Sequence, residues 1–334
     1  MDPITQGVVG ASAALATSTQ KHAKAAALLG LLGGMAPDLD VLIRSDHDPL
    51  LFLEFHRQFT HSLLFIPIGG LSVALILFAL LGRRLPLSFK QYFVYCTLGY
   101  ATHAMLDACT TYGTLLFWPF SDMRVAWNNI SVIDPVFSIP IIVLITVGVC
   151  RRQPHIAALA MIWAVAYLSL GTVQRERVKA TAWELASSRG HTPIKLEAKP
   201  SLGNILLWKT IYQTDQYYYV DAVRSGWNMK IYAGESIQKL DIERDFAWLD
   251  RQSQQARDIE RFRWFSNGYL APHPERPHHI IDIRYSMLPN KASGLWGIGL
   301  SPHASHNQHV SYEVFRQADA ETSQQLWNML RGQK

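Results

Sequence analysis

The run "SLLFIPIGGLSVALILFALLG", from Ser62 to Gly82, carries no charged side chain in 21 residues. A helix needs about 20 apolar residues to cross a hydrocarbon core of ~30 Å, and backbone placed there must satisfy its own hydrogen bonds. This stretch therefore predicts a transmembrane helix, in a chain whose first part is solvated by lipid. "VIDPVFSIPIIVLITVGVC" (Val132 to Cys150) and "HIAALAMIWAVAYLSLG" (His155 to Gly171) have the same character, with Asp134 and His155 at their edges. "YFVYCTLGYATHAMLDACTTYGTLLF" is also long and apolar, but it holds His103 and Asp107 inside. Two shorter Ala/Gly/Leu-rich stretches, Ile4 to Ser18 and Ala23 to Ala36, bring the expected number of helices to about six.

After Gly171 the composition changes, and charged, aromatic and turn-forming residues mix as in a soluble domain. The expected architecture is an N-terminal all-α multi-pass membrane helix bundle over residues 1–171, followed by a soluble α+β domain over 172–334. In the second part, "NILLWKTIYQTDQYYYVDAV" alternates large apolar with polar residues around a "QTDQ" break and predicts a β-hairpin. "GESIQKLD", "FRWFSNGYLA", "HHIIDIRYSML" and "VSYEVFRQ" continue as strand-like runs, with a helix-like segment near Arg175 to Ser187 and another over "ERDFAWLDRQSQQARDIERFR".

Basic residues in short loops mark the cytoplasmic side. Lys21, Lys24, Arg83, Arg84, Lys90, Arg151 and Arg152 fall in alternate loops, whereas Arg44, Arg57 and Arg124 in the others are accompanied by Asp38, Asp40, Asp46, Asp48, Glu54 and Asp122. This assigns the second domain to the extracytoplasmic side. No basic region precedes the first apolar stretch, so no cleavable signal peptide is expected. The net charge of +5 is largely explained by these loops and does not point to nucleic acid. The three cysteines have no paired spacing and give neither a disulfide framework nor a thiolate metal site.

With this topology, the polar residues that a membrane segment should avoid fall on one side. Asp38 and Asp40 ("APDLD") end the second helix, His56 and His61 ("HRQFTHS") precede the third, His103 and Asp107 lie in the outer part of the fourth, and Asp134 opens the fifth. His103 and Asp107 stand one helical turn apart on one face. An Asp at the centre of a span costs roughly 2.5 to 3.5 kcal/mol on insertion scales, and such groups are as a rule functional. A bound cation offsets that cost, and imidazole and carboxylate are ligands of catalytic zinc that manganese and iron also accept. In "PDLD" the alternation aims one carboxylate at a metal; Asp40 is favoured, with Asp38 behind it or on a second ion. Asp134, before Pro135, equally fits a helix N-cap.

In this order "MDPITQGVVGA", "PDLD", "HRQFTHS", "ATHAMLDACTTYGT" and "ISVIDP" resemble successive motifs of the YdjM family of membrane-bound proteins, described as predicted metal-dependent hydrolases. The resemblance covers roughly residues 1–150 and implies Asp40, His56, His61, His103 and Asp107 as metal ligands, in an integral inner-membrane protein. More distantly, the His-three-residues-Asp helix is similar to one in zinc-dependent phospholipases C and related nucleases. The sequence departs from the family at Gln6, where members often read Thr-His.

The function expected is metal-dependent hydrolysis of an ester or phosphoester, lipid-linked by virtue of the site's depth. One or two divalent ions, zinc before manganese or iron, would activate water. Asp38 or Asp134 would take the proton, and Arg57 or Arg124 would hold an anionic group. The competing reading is a non-catalytic metal-binding transporter or scaffold. No Gly-x-Ser-x-Gly elbow and no phosphate loop offers another enzyme class.

Overall fold

A computed structural model describes residues 1–316 and 319–333 of the chain. Two compact units emerge. The first comprises Met1–Leu42, Phe55–Val173 and Leu202–Asn204; the second comprises Ile43–Glu54, Gln174–Ser201 and the chain from Ile205 onward.

The first unit is helical. Asp2 caps α1 (Pro3–Ala16) by accepting from Thr5 N, with proline at the first turn. α2 (Ala23–Met35) runs into a 3-10 segment, Ala36–Leu42, at Pro37. After the short α3 (Leu51–Phe55) come α4 (Ile66–Leu81) and α5 (Phe89–Cys109), the latter opened by a Ser88/Gln91 capping box. α6 (Pro135–Arg151) and α7 (Pro154–Ser188) follow. Among the described residues three helical stretches are long and apolar enough to cross a membrane: Gln20–Leu42, Leu63–Leu81 and Pro154–Ser188. α1 and α6 have 14 and 17 residues, short of a full crossing, and α5 reaches the length but carries too much polarity.

α1, α2 and α5 pack through small residues. A Cβ on Gly99 of α5 would collide with the carbonyl oxygen of Gly30 in α2, and one on Gly30 with the Gly10 carbonyl of α1. Such backbone approach is how helices associate where lipid removes the hydrophobic drive. It brings the end of α2 against the second half of α5, where His103 and Asp107 lie.

α7 is one helix of 35 residues, not a span followed by a separate helix after Gly171. Neither proline nor a capping signal interrupts the sequence there, and Gly171 sits against the Asn129 backbone, where a side chain has no room.

The second unit holds two four-stranded antiparallel sheets. β1 (Lys195–Pro200), β2 (Leu207–Gln213), β3 (Tyr217–Ser225) and β4 (Met229–Gln238) form the first in sequential order. The predicted hairpin is β2–β3, with Gln213 opposite Tyr218. α8 (Ile242–Asp245) and α9 (Gln254–Phe265) intervene before β5 (Leu270–Pro272), β6 (His279–Asp282), β7 (Trp296–Gly299) and β8 (Ser311–Val314), and α10 (Ala320–Arg331) ends the fold. Ile211, Tyr218 and Val220 of the first sheet share a core with Ala271 and Ile281 of the second. "FRWF", expected as strand, is the last turn of α9, because Phe262 and Phe265 share the helix's buried face with Ile259. The predicted helix over "ERDFAWLDRQ" breaks after Asp245 and restarts at the Ser253 cap.

Segment Ile43–Glu54 joins the second unit through charge. The Arg261 guanidinium of α9 holds Asp48 at 2.7 and 3.0 Å, Asp258 at 2.9 Å, and Glu54. His309 and His306 of "HASHNQH" each take a different carboxylate, Asp258 at 2.9 Å and Asp250 at 3.1 Å.

Candidate metal centre

Within the first unit, four electron-donating atoms converge. α5 supplies His103 and Asp107, one turn apart and fully buried. His61 comes from the 3-10 turn Phe59–His61 and is equally buried, and Asp38 comes from the segment after α2. The two Nε2 atoms of His61 and His103 face each other at 2.8 Å. Asp38 Oδ1 lies 3.6 Å from the first and 3.4 Å from the second. Asp107 Oδ2 lies 3.3 and 3.8 Å from the same two nitrogens. The four donors all fall within 4.8 Å of one another.

Surrounding atoms fix what each donor presents. His103 Nδ1 stands 2.6 Å from the Gly34 carbonyl, which can only accept, so Nδ1 carries the ring hydrogen and Nε2 offers a lone pair. His61 Nδ1 lies 3.2 Å from Asp40 Oδ2. Thr60 donates its hydroxyl to that same oxygen at 2.7 Å and leaves its own oxygen, 2.9 Å away, to accept from His61 Nδ1. In its neutral form His61 therefore offers a lone pair at Nε2 as well. With both rings neutral, two lone pairs and two carboxylate oxygens facing one another repel unless a cation, a metal ion or a proton, lies among them. Asp107 Oδ2 accepts no hydrogen bond of proper geometry, although Arg57 Nε lies 3.0 Å away, and Gln6 Oε1 is buried without a hydrogen bond. Asp38, His61, His103 and Asp107 could therefore hold a metal ion.

The other residues singled out in the sequence stand around this group. Asp40 is buried and receives His56 Nδ1 at 2.7 Å, the Arg57 amide at 3.0 Å, and the Thr60 hydroxyl. It is the hub that folds "HRQFTH" and aims His61, a carboxylate–imidazole arrangement of the kind that orients metal-binding histidines. His56 lies on the far side of Asp40 with its side chain 19 % exposed. Arg57 adopts a left-handed backbone, φ +66°, and its guanidinium meets Asp107, Thr110 Oγ1 at 3.1 Å and the Tyr112 ring. Asp134 caps α6, accepting from Val136 and Phe137 amides, and accepts the Tyr167 hydroxyl of α7 at 2.9 Å.

Sequence reasoning passed over Thr60 and the Gly34 carbonyl, which set the tautomers of both histidines. Thr60 sits inside a quoted motif, but a backbone carbonyl leaves no sequence signal. Gln6, noted there only as a departure, donates to Asp107 Oδ1 at 2.8 Å and leaves Oδ2 to the cluster. The Met1 amino group also contacts that Oδ1.

Apolar helices with a two-His, two-Asp cluster, buried but for Asp38, define an integral membrane protein with a site able to take a metal ion. The family model described as YdjM inner membrane protein matches residues 1–178, more than half of the chain. The chain belongs to that family and is an integral inner-membrane protein. No curated protein and no solved structure matches it.

Proposed function

We propose that this chain is a membrane-bound metal-dependent hydrolase whose ion is held by Asp38, His61, His103 and Asp107. The observation that carries the proposal is the meeting of four donors, two of them with tautomers set so that lone pairs face each other. Five of their six separations, 2.8 to 3.8 Å, bracket the edge of about 3.3 Å that a tetrahedron of ligands at ~2.0–2.1 Å requires, and all four lie within 4.8 Å of one another, which is compatible with zinc. When bound, the ion supplies Lewis acidity toward water and an ester oxygen.

The chain's residues do the rest. Asp40 and Thr60 keep the His61 ring in register, and the Gly34 carbonyl does the same for His103. Arg57 balances the charge of Asp107 from behind. Asp38 has the one side chain of the four that meets solvent, 18 % exposed, so substrate enters past it and its carboxylate takes the proton released from water. Six helical segments, α1, α2 and α4 to α7, are embedded, and the basic loops hold their opposite ends in the cytoplasm. The site then lies at the outer headgroup level and the second unit outside, which suits a lipid or lipid-linked phosphoester.

The burial of His61, His103 and Asp107 favours a second reading, in which an ion staples α2, α5 and the "HRQFTH" loop without catalysis. Elemental analysis of detergent-purified wild type beside His103→Ala, with a screen of phospholipid and lipid-phosphate hydrolysis, separates the two. About one ion per chain and turnover, both lost in the variant, supports the hydrolase. Metal without turnover on any ester leaves the staple, and a folded wild type purified without chelator and containing no metal overturns both.

A further inference from the structure

We propose that the β3–β4 hairpin is a membrane-surface anchor, with Trp227 seated among the headgroups of an anionic bilayer. The observation behind it is where α7 touches this hairpin. From Ile156 to Gln174 the helix has no charged residue across 19 positions, and Arg175 follows. At 1.5 Å per residue this stretch rises about 28 Å, the thickness of the hydrocarbon core, so Gln174 marks the boundary. The hairpin tip is tied to that level. Gln174 Nε2 donates to the Ser225 carbonyl at 3.1 Å, Ser225 Oγ donates back to Gln174 Oε1 at 2.8 Å, and Arg177 donates to the Gly226 carbonyl at 3.0 Å.

The strands close at Ser225 opposite Met229, leaving Gly226, Trp227 and Asn228 as the tip. Trp227 is the most exposed large apolar residue described, with its whole surface open. An indole left in water is unfavourable, whereas at the headgroup level its apolar body and N–H are both accommodated.

Charge completes the surface. Arg224 and Lys230 are cross-strand partners beside the tip, and they bind the carbonyls of Leu330 and Gly332 at the end of α10 at 2.7 and 2.8 Å. This brings Arg331 and the half-exposed Trp327 of α10 alongside, with Arg331 stacked over the Trp327 ring. Arg177, Arg224, Lys230 and Arg331 make a collar complementary to anionic lipid. The occupant is the bilayer that α7 itself crosses, on whichever side the second unit lies and whether or not a metal is bound.

The test uses the full chain in phosphatidylcholine/phosphatidylglycerol vesicles, with and without brominated acyl chains, comparing wild type with Trp227→Ser. Because Trp227 touches no core, the variant folds; circular dichroism of both proteins checks this. The emission that the variant lacks, roughly a tenth of that from ten tryptophans, should be quenched by brominated lipid and little by acrylamide. Quenching by acrylamide but not by brominated lipid overturns the proposal, as does shielding from both, which marks contact with another protein or a second copy. Replacing phosphatidylglycerol by phosphatidylcholine should raise acrylamide access; unchanged access overturns the role of the basic collar.

Discussion

Buried charge in the second unit is handled in the opposite way from the cluster of the first, although Asp40 and Asp134 beside that cluster are matched by donors. In the second, each buried carboxylate meets a cation or donors that match its lone pairs. Asp282 holds Arg284 at 2.7 to 3.1 Å and accepts the Trp296 indole N–H. Asp221 binds Arg189 through both oxygens at 2.6 and 2.8 Å and takes the Gly234 amide. Asp258 receives Arg261, His309 and two further donors. In the first unit, Asp38, Asp107 and the Nε2 atoms of two imidazoles point at one another, and among the described residues the Arg57 guanidinium and the Met1 amino group touch Asp107. A fold that pairs its charges for stability looks like the second unit. An unbalanced set of acceptors in a low-dielectric interior costs free energy, and a bound cation recovers it.

This contrast can be broken in several places. The largest effect is expected at the cluster, where Asp38→Asn should remove the metal altogether yet leave the metal-free chain as stable as the metal-free wild type. Asp38 meets no lysine or arginine, only the His61 and His103 rings, and its loss relieves repulsion from Asp107. Thermal unfolding with and without chelator, beside elemental analysis, checks both parts; a metal-free variant markedly less stable than chelated wild type would place Asp38 with the paired carboxylates.

Next comes Asp282→Asn, which leaves Arg284 buried and short of its counter-charge and should cost about 3–5 kcal/mol, read as denaturant unfolding of the second unit. Asp40→Asn and Thr60→Val disturb the aim of His61 without removing a ligand, and should weaken metal affinity about 10–100-fold, measured by competition with a chelating dye.

The smallest effect, taken per pH unit, concerns Lys209, buried with its Nζ 2.7 Å from both Ser286 Oγ and the Lys291 carbonyl. Burial, with a lesser push from Lys199, lowers its pKa to about 7 against the opposing pull of Asp282 and Glu235. Above that pH the folded chain has released a proton that the unfolded chain keeps up to its ordinary 10.5. Stability should therefore rise between those values by up to ~1.4 kcal/mol per pH unit. Lys209→Met should flatten this rise, as seen in unfolding midpoints at pH 7 to 9; an unchanged slope would assign the pH dependence elsewhere.

Much of the fold was legible wherever a signal is local. The apolar runs became helices, and the alternation in "LLWKTIYQTDQYYYV" became β2–β3. Reading failed where burial, not propensity, decided. "FRWF" is as apolar and aromatic as a strand, but its spacing places Phe262 and Phe265 on the buried face of α9. "WGIG" of β7 was passed over because four residues with two glycines carry no period, and they pair only because β6 and β8 flank them. At the site, His61, His103 and Asp107 could be named from the sequence, since membrane depth makes each conspicuous. Which partner each would face could not, because His61 reaches His103 across 42 residues of chain.

The sequence by itself determined that the chain enters a membrane, and that His103 and Asp107 share a helix face, because hydropathy and the 3.6-residue turn act on neighbours along the chain. Tertiary structure alone decided that Asp38 turns into the cluster while Asp40 turns to His56, Arg57 and Thr60. It alone drew Ile43–Glu54 to the second unit through Arg261. Both outcomes depend on charges brought together from distant positions, and Coulomb and hydrogen-bond energies depend on separation in space, which residue order does not encode.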